Sequence, residues 1–237
     1  MNPADPRPLI HVVAAAVLDA AGRVLIAQRP AGKHLAGGWE FPGGKLEPGE
    51  ERLAGLAREL REELGIRIEA PARPLIRVRH AYPSRDVLLD IWVVRRFAGE
   101  PQSLDGQALR WCALDELPQA NLLPADEPIV ASLRLPERLR QTSTPYYEIG
   151  NLHALREQGA GAVPARRARL QGVFCADAEE GMAAARAGAD FLVMSKAIAD
   201  DELAALCGAV AVPVYARSIA LEQAWKLGAS GINEINP

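Results

Sequence analysis

The sequence predicts an α/β protein made of two parts. In the first part, one strongly amphipathic helix lies among apolar runs that are typical of strands. In the second part, three segments repeat one pattern of helix end, Gly-Ala turn and apolar run, which is typical of βα units. A polar stretch separates the two patterns. We therefore expect domains at residues 1–135 and 146–237, joined by a linker at residues 136–145.

The first part opens with an expected β-hairpin and continues into a helix. Residues 10–18 and 24–29 are apolar runs joined by a short polar turn. A glycine-rich stretch then leads into a helix over residues 49–64. Its apolar stripe recurs at spacings of three, four and four and consists of Leu53, Leu56, Leu60 and Leu64. Gly65 predicts a left-handed cap that ends this helix.

The remaining elements differ between the two parts. In the first part, we expect three more strands and a closing helix, at residues 75–80, 87–97, 109–113 and 125–133. In the second part, the repeated pattern occurs at residues 155–163, 185–193 and 225–233, with further strands at 172–176 and 212–217. Strands that alternate with helices in this way predict a parallel sheet.

Bulk composition narrows the classes of partner. The chain has 237 residues, of which 49% are hydrophobic and 24% charged, and its net charge is −3. A mildly acidic chain gives no electrostatic reason to bind long nucleic acid, whose phosphates require a basic face. The apolar run near the N-terminus is too short to cross a membrane. The three cysteines form no CxxC pair. We therefore expect a cytoplasmic protein with reduced thiols and a small anionic substrate.

One helix face concentrates the chemistry. Glu59, Glu62 and Glu63 lie at i, i+3 and i+4, so they fall within an arc of about 100° on the predicted helix, away from the leucine stripe. Hard carboxylate oxygens at this density suit Mg²⁺ or Mn²⁺, which also bind phosphate oxygens. Arg58, one turn before Glu62, can orient the cluster. A solvated charged face is the simpler interpretation, but the glycine-rich approach and the Gly65 stop favour a site.

The residues from Gly44 to Ile66 resemble the Nudix box at every specified position. That pattern is a glycine, five residues, a glutamate, seven residues, then Arg-Glu-apolar-any-Glu-Glu-any-Gly-apolar. The wider match, over about residues 10–133, resembles the MutT-type branch, which cleaves nucleoside triphosphates to monophosphates and pyrophosphate. This resemblance implies that the first domain is an α/β/α sandwich with a mixed sheet and that it hydrolyses phosphoric anhydride bonds.

The same resemblance implies which residues form the site. Its metal ligands would be Gly44, Glu59, Glu62, Glu63 and Glu100, with Arg58 and the same four glutamates as catalytic residues. Its substrate-binding residues would be Arg29, His34, Phe41, Arg85 and Asp126. In this arrangement Arg29 contacts phosphate, whereas His34 and Phe41 lie beside the nucleotide. Glu100 would complete the metal site or act as general base.

One position departs from the guanine-selective members of the family. They carry asparagine where this chain has Asp126. An amide both donates and accepts hydrogen bonds, whereas an ionised carboxylate only accepts. An ionised Asp126 would accept from guanine N1 and N2 or from cytosine N4, and it would need a proton to donate to a purine O6. The identity of the base therefore stays open.

The second domain resembles the C-terminal half of thiamine phosphate synthase and its TenI relatives, which are (β/α)₈ barrels. The resemblance is carried by residues 172–174, 178–185, 188–192 and 228–231. The glycine pair that would cradle phosphate is replaced by Arg217-Ser218, and about 90 residues are too few to close an eight-stranded barrel. We expect a truncated, catalytically silent, partial (β/α) barrel. Its open edges require cover, either by the first domain or by a second copy in a homodimer.

Three functions follow from these observations. The first is Mg²⁺-dependent pyrophosphohydrolysis of oxidised or non-standard nucleotides such as 8-oxo-dGTP. The second is hydrolysis of a thiamine-related pyrophosphate, which is motivated by the second domain alone. The third is a regulatory or scaffolding protein with a vestigial site. The intact glutamate cluster argues against the third, because like charges one turn apart weaken a helix and would not need to be kept.

Overall fold

A computed structural model of the chain describes residues 8–32, 35–70, 72–158 and 169–235. The first part contains strands β1 (Leu9–Val17), β2 (Val24–Gln28), β3 (Trp39–Glu40), β4 (Gly43–Lys45), β5 (Arg67–Ile68), β6 (Arg73–Tyr82), β7 (Arg85–Val94), β8 (Phe97–Ala98) and β9 (Leu109–Cys112), with helices α1 (Arg52–Leu64) and α2 (Glu127–Arg134). Short 3₁₀ turns lie at Leu117–Gln119 and Pro124–Asp126.

The second part alternates strands and helices. Its elements are β10 (Arg138–Leu139), β11 (Tyr147–Gly150), α3 (Leu152–Gln158), β12 (Leu170–Cys175), α4 (Ala178–Arg186), β13 (Phe191–Met194), α5 (Asp200–Ala209), β14 (Val214–Arg217), α6 (Leu221–Lys226) and β15 (Gly231–Asn233). The α/β class expected from the sequence is confirmed.

The main sheet of the first part is mixed, as expected. Its strand order is β4-β1-β7-β6, in which β1 and β7 are parallel and the other neighbours are antiparallel. Strands β3, β2 and β9 form a separate three-stranded sheet, and β5 pairs with β8. The two strands predicted at residues 10–18 and 24–29 are confirmed, but they do not pair as a hairpin, because β1 and β2 belong to different sheets and share one isolated bridge between Leu18 and Val24.

Strand β1 is buried on both faces, and its two faces meet different helices. Val13, Ala15 and Val17 belong to one apolar cluster with the leucines of α1. Ala14 and Ala16 belong to a second cluster that includes residues of α2. Because side chains alternate between the two faces of a strand, α1 and α2 contact opposite faces of the main sheet.

Helix α1 starts three residues later than the sequence predicted. The cause is Glu51, which has an extended backbone and whose carboxylate accepts hydrogen bonds from the N–H groups of Leu53 and Ala54, so that it caps the first turn. The predicted stop is confirmed. Gly65 adopts a left-handed φ of 70° and its N–H donates to the Arg61 carbonyl, while the N–H of Ile66 donates to the Leu60 carbonyl.

The second part is built on an open six-stranded parallel sheet with the order β10-β15-β14-β13-β12-β11. The repeated sequence pattern is confirmed at two of its three occurrences. After α4 and α6 the chain turns at Gly188 and Gly228, whose φ values of 93° and 94° favour glycine, and then enters β13 and β15. The third occurrence, at residues 155–163, extends beyond the described residues. Residues 138–139, inside the expected linker, form the edge strand β10.

Helix α2 contributes to two hydrophobic cores. Ile129 and Val130 pack in the core of the first part. Ala131, the next residue, is 1% exposed and packs with the aromatic core of the second part, which includes Tyr147, Phe191 and Tyr215. The Tyr215 hydroxyl donates to the Pro136 carbonyl over 2.6 Å, just beyond the end of this helix. The two parts therefore meet through buried apolar contacts rather than through a loose linker.

Two predictions from composition can be compared with the structure. Cys112, Cys175 and Cys207 are all free and buried, which confirms the expectation of buried thiols without disulfides. Among the described residues, no helix is both long enough and apolar enough to cross a membrane.

Candidate active site

The glycine pair before the glutamate helix allows α1 to approach β4. A Cβ atom on Gly43 would lie 2.2 Å from the Val13 carbonyl oxygen, so glycine is required for β4 to pair with β1. A Cβ on Gly44 would lie 2.3 Å from the carboxyl group of Glu59. The backbone N–H of Gly43 donates to the Glu63 carboxylate over 3.2 Å. Both glutamates are thus held against the strand that precedes their helix.

Arg58 organises the carboxylates on the other side of the cluster. Its guanidinium donates to Glu50 from two nitrogens at 2.9 Å, to Glu59 at 2.8 Å and to Glu62 at 3.3 Å. It also donates to the Lys45 carbonyl over 3.1 Å. Hydrogen bonds with Glu50, then with Glu59, raise the pKa of Arg58, and the bond from Arg58 lowers the pKa of Glu50 to about 2. The orienting role expected of Arg58 has this geometric basis.

Glu63 is the most buried carboxylate of the cluster. Burial, together with the negative charges of Glu59, Glu40 and Asp105, raises its pKa to about 7, although the hydrogen bond from Gly43 acts in the opposite direction. A buried carboxylate surrounded by other carboxylates is stabilised by any nearby cation. The site therefore carries an excess of negative charge beside Glu63.

The carboxylate oxygens of these glutamates fit a divalent cation, although the described residues form no complete metal site. In the described part of the chain, no three His, Cys, Asp or Glu side chains are grouped so as to hold a metal ion. Arg58 instead holds Glu59 and Glu62, and Glu62 remains 55% exposed. Glu63 takes no part in these ion pairs with Arg58, and the negative charges of neighbouring carboxylates repel its own. Hard oxygen donors with surplus charge are the ligands that Mg²⁺ or Mn²⁺ prefers.

A cleft of about 450 Å³ extends from Glu63 across the end of the main sheet. Four of the five residues expected to bind substrate line it together with Glu63: Arg29, Phe41, Arg85 and Asp126. Gly44 also lies on its wall. The fifth expected residue, His34, lies outside the described residues. Residues distant in sequence are thus brought to one cleft of a size that suits a nucleotide.

Asp126 is a buried residue of the cleft wall. Its side chain is only 4% exposed. Burial raises the pKa of the Asp126 carboxyl well above its usual range, and the charge of Glu40 raises it further, while Arg29 opposes both effects. The neutral acid is favoured by this environment, and unlike the ionised form it both donates and accepts hydrogen bonds. Burial therefore favours the protonated form that donation to a purine O6 would require.

The remaining substrate-side residues are held by their neighbours. Arg29 pairs with Glu40 over 3.2 Å, so its charge is partly neutralised before any phosphate arrives. Arg85 lies over the Tyr82 ring, with its guanidinium carbon 6.0 Å from the ring centre. Phe41 is 3% exposed and lines the cleft.

Arg58, Glu59 and Glu62 do not line the 450 Å³ cleft, although Arg58 and Glu59 contact Lys45 and Gly44 of its wall. The expected site residue Glu100, which is exposed, does not line it either. The same loop instead brings Asp105 close to Glu63. Gln107 anchors the loop, because its amide donates to the Glu63 carbonyl over 3.2 Å.

Comparison with known proteins identifies the first part. The chain matches the family model of the NUDIX domain over residues 13–132, which is half of its length. This chain belongs to the Nudix family. The family and the relatives that follow make it a Nudix pyrophosphohydrolase, an enzyme that acts on phosphoric anhydride bonds.

Three similar proteins each cover about half of this chain. The CTP pyrophosphohydrolase of Escherichia coli is 45% identical over 52% of this chain and 89% of its own. The 8-oxo-dGTP diphosphatase of Escherichia coli is 37% identical over 47% of this chain and 85% of its own. The solution structure of the E. coli ORF135 protein is 42% identical and covers 53% of this chain and 89% of that chain, with a TM-score of 0.47.

Three residues of the Nudix cleft were not predicted from the sequence. Glu40 precedes Phe41 in the glycine-rich stretch, and its position next to a predicted substrate residue was the available signal. Tyr82 lies at the end of β6 and Asp105 in a loop, and neither stands in a recognisable pattern. Only the folded chain brings Tyr82 next to Arg85 and Asp126. Folding likewise brings the charges of Glu40 and Asp105 close to Glu63.

Proposed function

We propose that the protein is a Mg²⁺-dependent nucleoside triphosphate pyrophosphohydrolase that converts its substrate to a nucleoside monophosphate and pyrophosphate and acts on oxidised or non-standard nucleotides such as 8-oxo-dGTP. One observation carries the proposal. The box residue Glu63 and the buried carboxyl group of Asp126 line one and the same cleft. A triphosphate near the helix would therefore leave its base at Asp126.

The proposed metal ligands are Glu59, Glu62 and Glu63 with the backbone of Gly44, and Glu100 if its loop closes. When bound, the metal would neutralise charge on the phosphate oxygens. The chain's own residues do the positioning. Arg58 fixes Glu59 and Glu62 relative to β4, and the Gly43 N–H fixes Glu63. Arg29 would exchange its contact with Glu40 for substrate phosphate, because a guanidinium matches phosphate oxygens in pairs.

Base selection is proposed to depend on Asp126. A neutral carboxylic acid can donate to guanine O6 while accepting from N1, and it can equally donate to cytosine N3 while accepting from N4. The relatives named CTP pyrophosphohydrolase and 8-oxo-dGTP diphosphatase are consistent with both bases. We infer that both guanine and cytosine nucleotides are substrates.

The second part is proposed to be a truncated thiamine phosphate synthase or TenI-like module, a partial (β/α) barrel without catalysis. Barrel enzymes of this type work at the carboxyl ends of their strands. Here those ends are occupied by internal hydrogen bonds. Arg217 donates to the Ile235 carbonyl, and the Asn233 amide donates to the Met194 carbonyl over 3.0 Å. Ser218, in place of a glycine, keeps a left-handed φ of 57°.

A substrate panel tests the proposal. Release of pyrophosphate and monophosphate is measured for 8-oxo-dGTP, dGTP, CTP and thiamine diphosphate, each with Mg²⁺ and with EDTA. We expect metal-dependent turnover of the guanine and cytosine nucleotides. Preferential cleavage of thiamine diphosphate would establish the alternative suggested by the second part, and absence of turnover with every nucleotide would contradict the proposal.

A further inference from the structure

A second cleft lies where the two parts of the chain meet, away from the Nudix site. Its volume is about 400 Å³. The first part contributes Arg73 at the start of β6 and Arg95 after β7, and the second contributes Arg138 and Arg140 at and beyond β10. We call it the junction cleft. Small-molecule sites occur preferentially at such boundaries between structural units.

The junction cleft carries more positive than negative charge. Its four arginines face one lining carboxylate, Glu137, which pairs with Arg73 over 2.9 Å. The only other carboxylate paired with them, in the part of the chain that the structure describes, is Glu234, which contacts both Arg138 and Arg140. Arginine is the residue best suited to bind phosphate, because its planar fork contacts two oxygens at once.

Arg73 and Arg95 line the same cleft and are near enough for their positive charges to repel each other. Arg73 is only 17% exposed and lies over the Trp225 ring, with its guanidinium carbon 5.7 Å from the ring centre. Burial lowers the pKa of Arg73, and the nearby charge of Arg95 lowers it further, whereas Glu137 raises it. Arg95 is exposed and forms no ion pair within the described residues. A bound anion would relieve this repulsion.

The opposite wall of the junction cleft is apolar. Leu18, Leu114, Leu133 and Leu135 line it. A wall of this kind favours a ligand that carries a ring or hydrocarbon group as well as charge, since apolar contact contributes about 25 cal/mol for each Å² removed from water. An inorganic anion would use the arginines alone.

We propose that the junction cleft binds a small organic phosphate, whose phosphate group lies among Arg73, Arg95, Arg138 and Arg140 and whose ring or chain lies on the leucine wall. The site is distinct from the Nudix cleft and needs no metal. It joins residues of both parts, so a bound ligand would also hold the two parts together. The inference does not depend on which nucleotide the Nudix site hydrolyses.

Calorimetric titration of the full chain in EDTA tests the proposal, with phenyl phosphate and inorganic phosphate as probes. EDTA removes metal from the Nudix site, whose remaining carboxylates repel anions. We expect phenyl phosphate to bind at least about ten-fold more tightly than inorganic phosphate. The double variant Arg95→Glu, Arg140→Glu should weaken phenyl phosphate binding at least about ten-fold. Both side chains are exposed, so the fold should be retained.

The matched control is Arg67→Glu, Arg186→Glu, which changes the net charge equally at exposed positions outside the cleft. It should bind phenyl phosphate like the wild type, and both double variants should keep wild-type nucleotide hydrolysis. If both double variants lost the same affinity for phenyl phosphate, overall charge would explain the loss, and the proposed site would be wrong. Equal affinity for the two probes, or no binding at millimolar concentrations, would overturn it as well.

A third variant changes affinity in the opposite direction. Glu234 competes with any anion for Arg138 and Arg140. Glu234→Gln should therefore tighten phenyl phosphate binding about three-fold or more, and inorganic phosphate similarly. Unchanged or weaker binding by this variant would contradict the placement of the phosphate group.

Discussion

The Glu63 carboxylate accepts a hydrogen bond from the backbone N–H of Gly43 over 3.2 Å, across twenty residues of sequence. This contact joins helix α1 to strand β4 and holds the Glu63 carboxylate at the wall of the 450 Å³ cleft. Since the N–H group can donate to a carboxylate or to an amide oxygen, the contact separates the positional role of residue 63 from its charge.

Glu63→Gln should therefore keep the fold and lose catalysis. The amide oxygen can still accept from Gly43, but a neutral side chain no longer supplies an anionic ligand. We expect kcat to fall at least about 100-fold, with the melting temperature in EDTA equal to or above that of the wild type. The control is Glu69→Gln at an exposed position, which should leave both values unchanged. Near-wild-type turnover by Glu63→Gln at saturating Mg²⁺ would show that the site has been misassigned.

Gly44→Ala tests the contact between β4 and Glu59. A Cβ atom there would lie 2.3 Å from the Glu59 carboxyl carbon and oxygen, so the carboxylate must move. Displacement of a catalytic group by about 1 Å can reduce turnover about 100-fold. Gly150→Ala is the matched control, because a Cβ at Gly150 meets nothing within 4 Å. The measurement is the steady-state kcat of both variants. If Gly44→Ala were as active as Gly150→Ala, catalysis would not require Glu59 in its present position.

Asp126 should make stability dependent on pH. Burial raises the pKa of its carboxyl group well above the usual range for aspartate, so the folded protein holds this proton more tightly than the unfolded chain does. Stability should then fall as the pH rises from the unfolded pKa through the folded one. Asp126→Asn removes this contribution, so its melting temperature should exceed that of the wild type by more at pH 8 than at pH 5. A constant difference between the two proteins would indicate an ionised, compensated carboxylate.

The same proton should influence the choice of base. Ionised Asp126 would accept from guanine N1 and N2, but it would repel cytosine N3 and keep only the contact to N4. The ratio of kcat/KM for CTP to that for 8-oxo-dGTP should therefore fall about ten-fold as Asp126 ionises, and it should be flat in Asp126→Asn. Using the ratio cancels groups that both substrates share. A parallel pH dependence in the two enzymes would place base recognition elsewhere in the cleft.

The sequence predicted those parts of the molecule that depend on local pattern. The leucine stripe, the Gly65 stop and the turns at Gly188 and Gly228 are set by short-range geometry, and the structure contains them. The neutral state favoured for Asp126 depends on burial by distant strands, and Asp105 reaches Glu63 through a loop without a signature. Such features arise from tertiary contacts, which the pattern of residues along the chain does not reveal.

Helix α2 has a consequence for how the molecule melts. Its consecutive residues Val130 and Ala131 lie in different cores, so neither core can lose its order without exposing a face of the same helix. Unfolding should then be a single cooperative event, with calorimetric and van't Hoff enthalpies in agreement, despite a sequence that reads as two units. A chain cut after residue 137 would keep the Nudix residues but expose Ala131 and Leu135 to water. The second part therefore contributes to the stability of the folded Nudix domain.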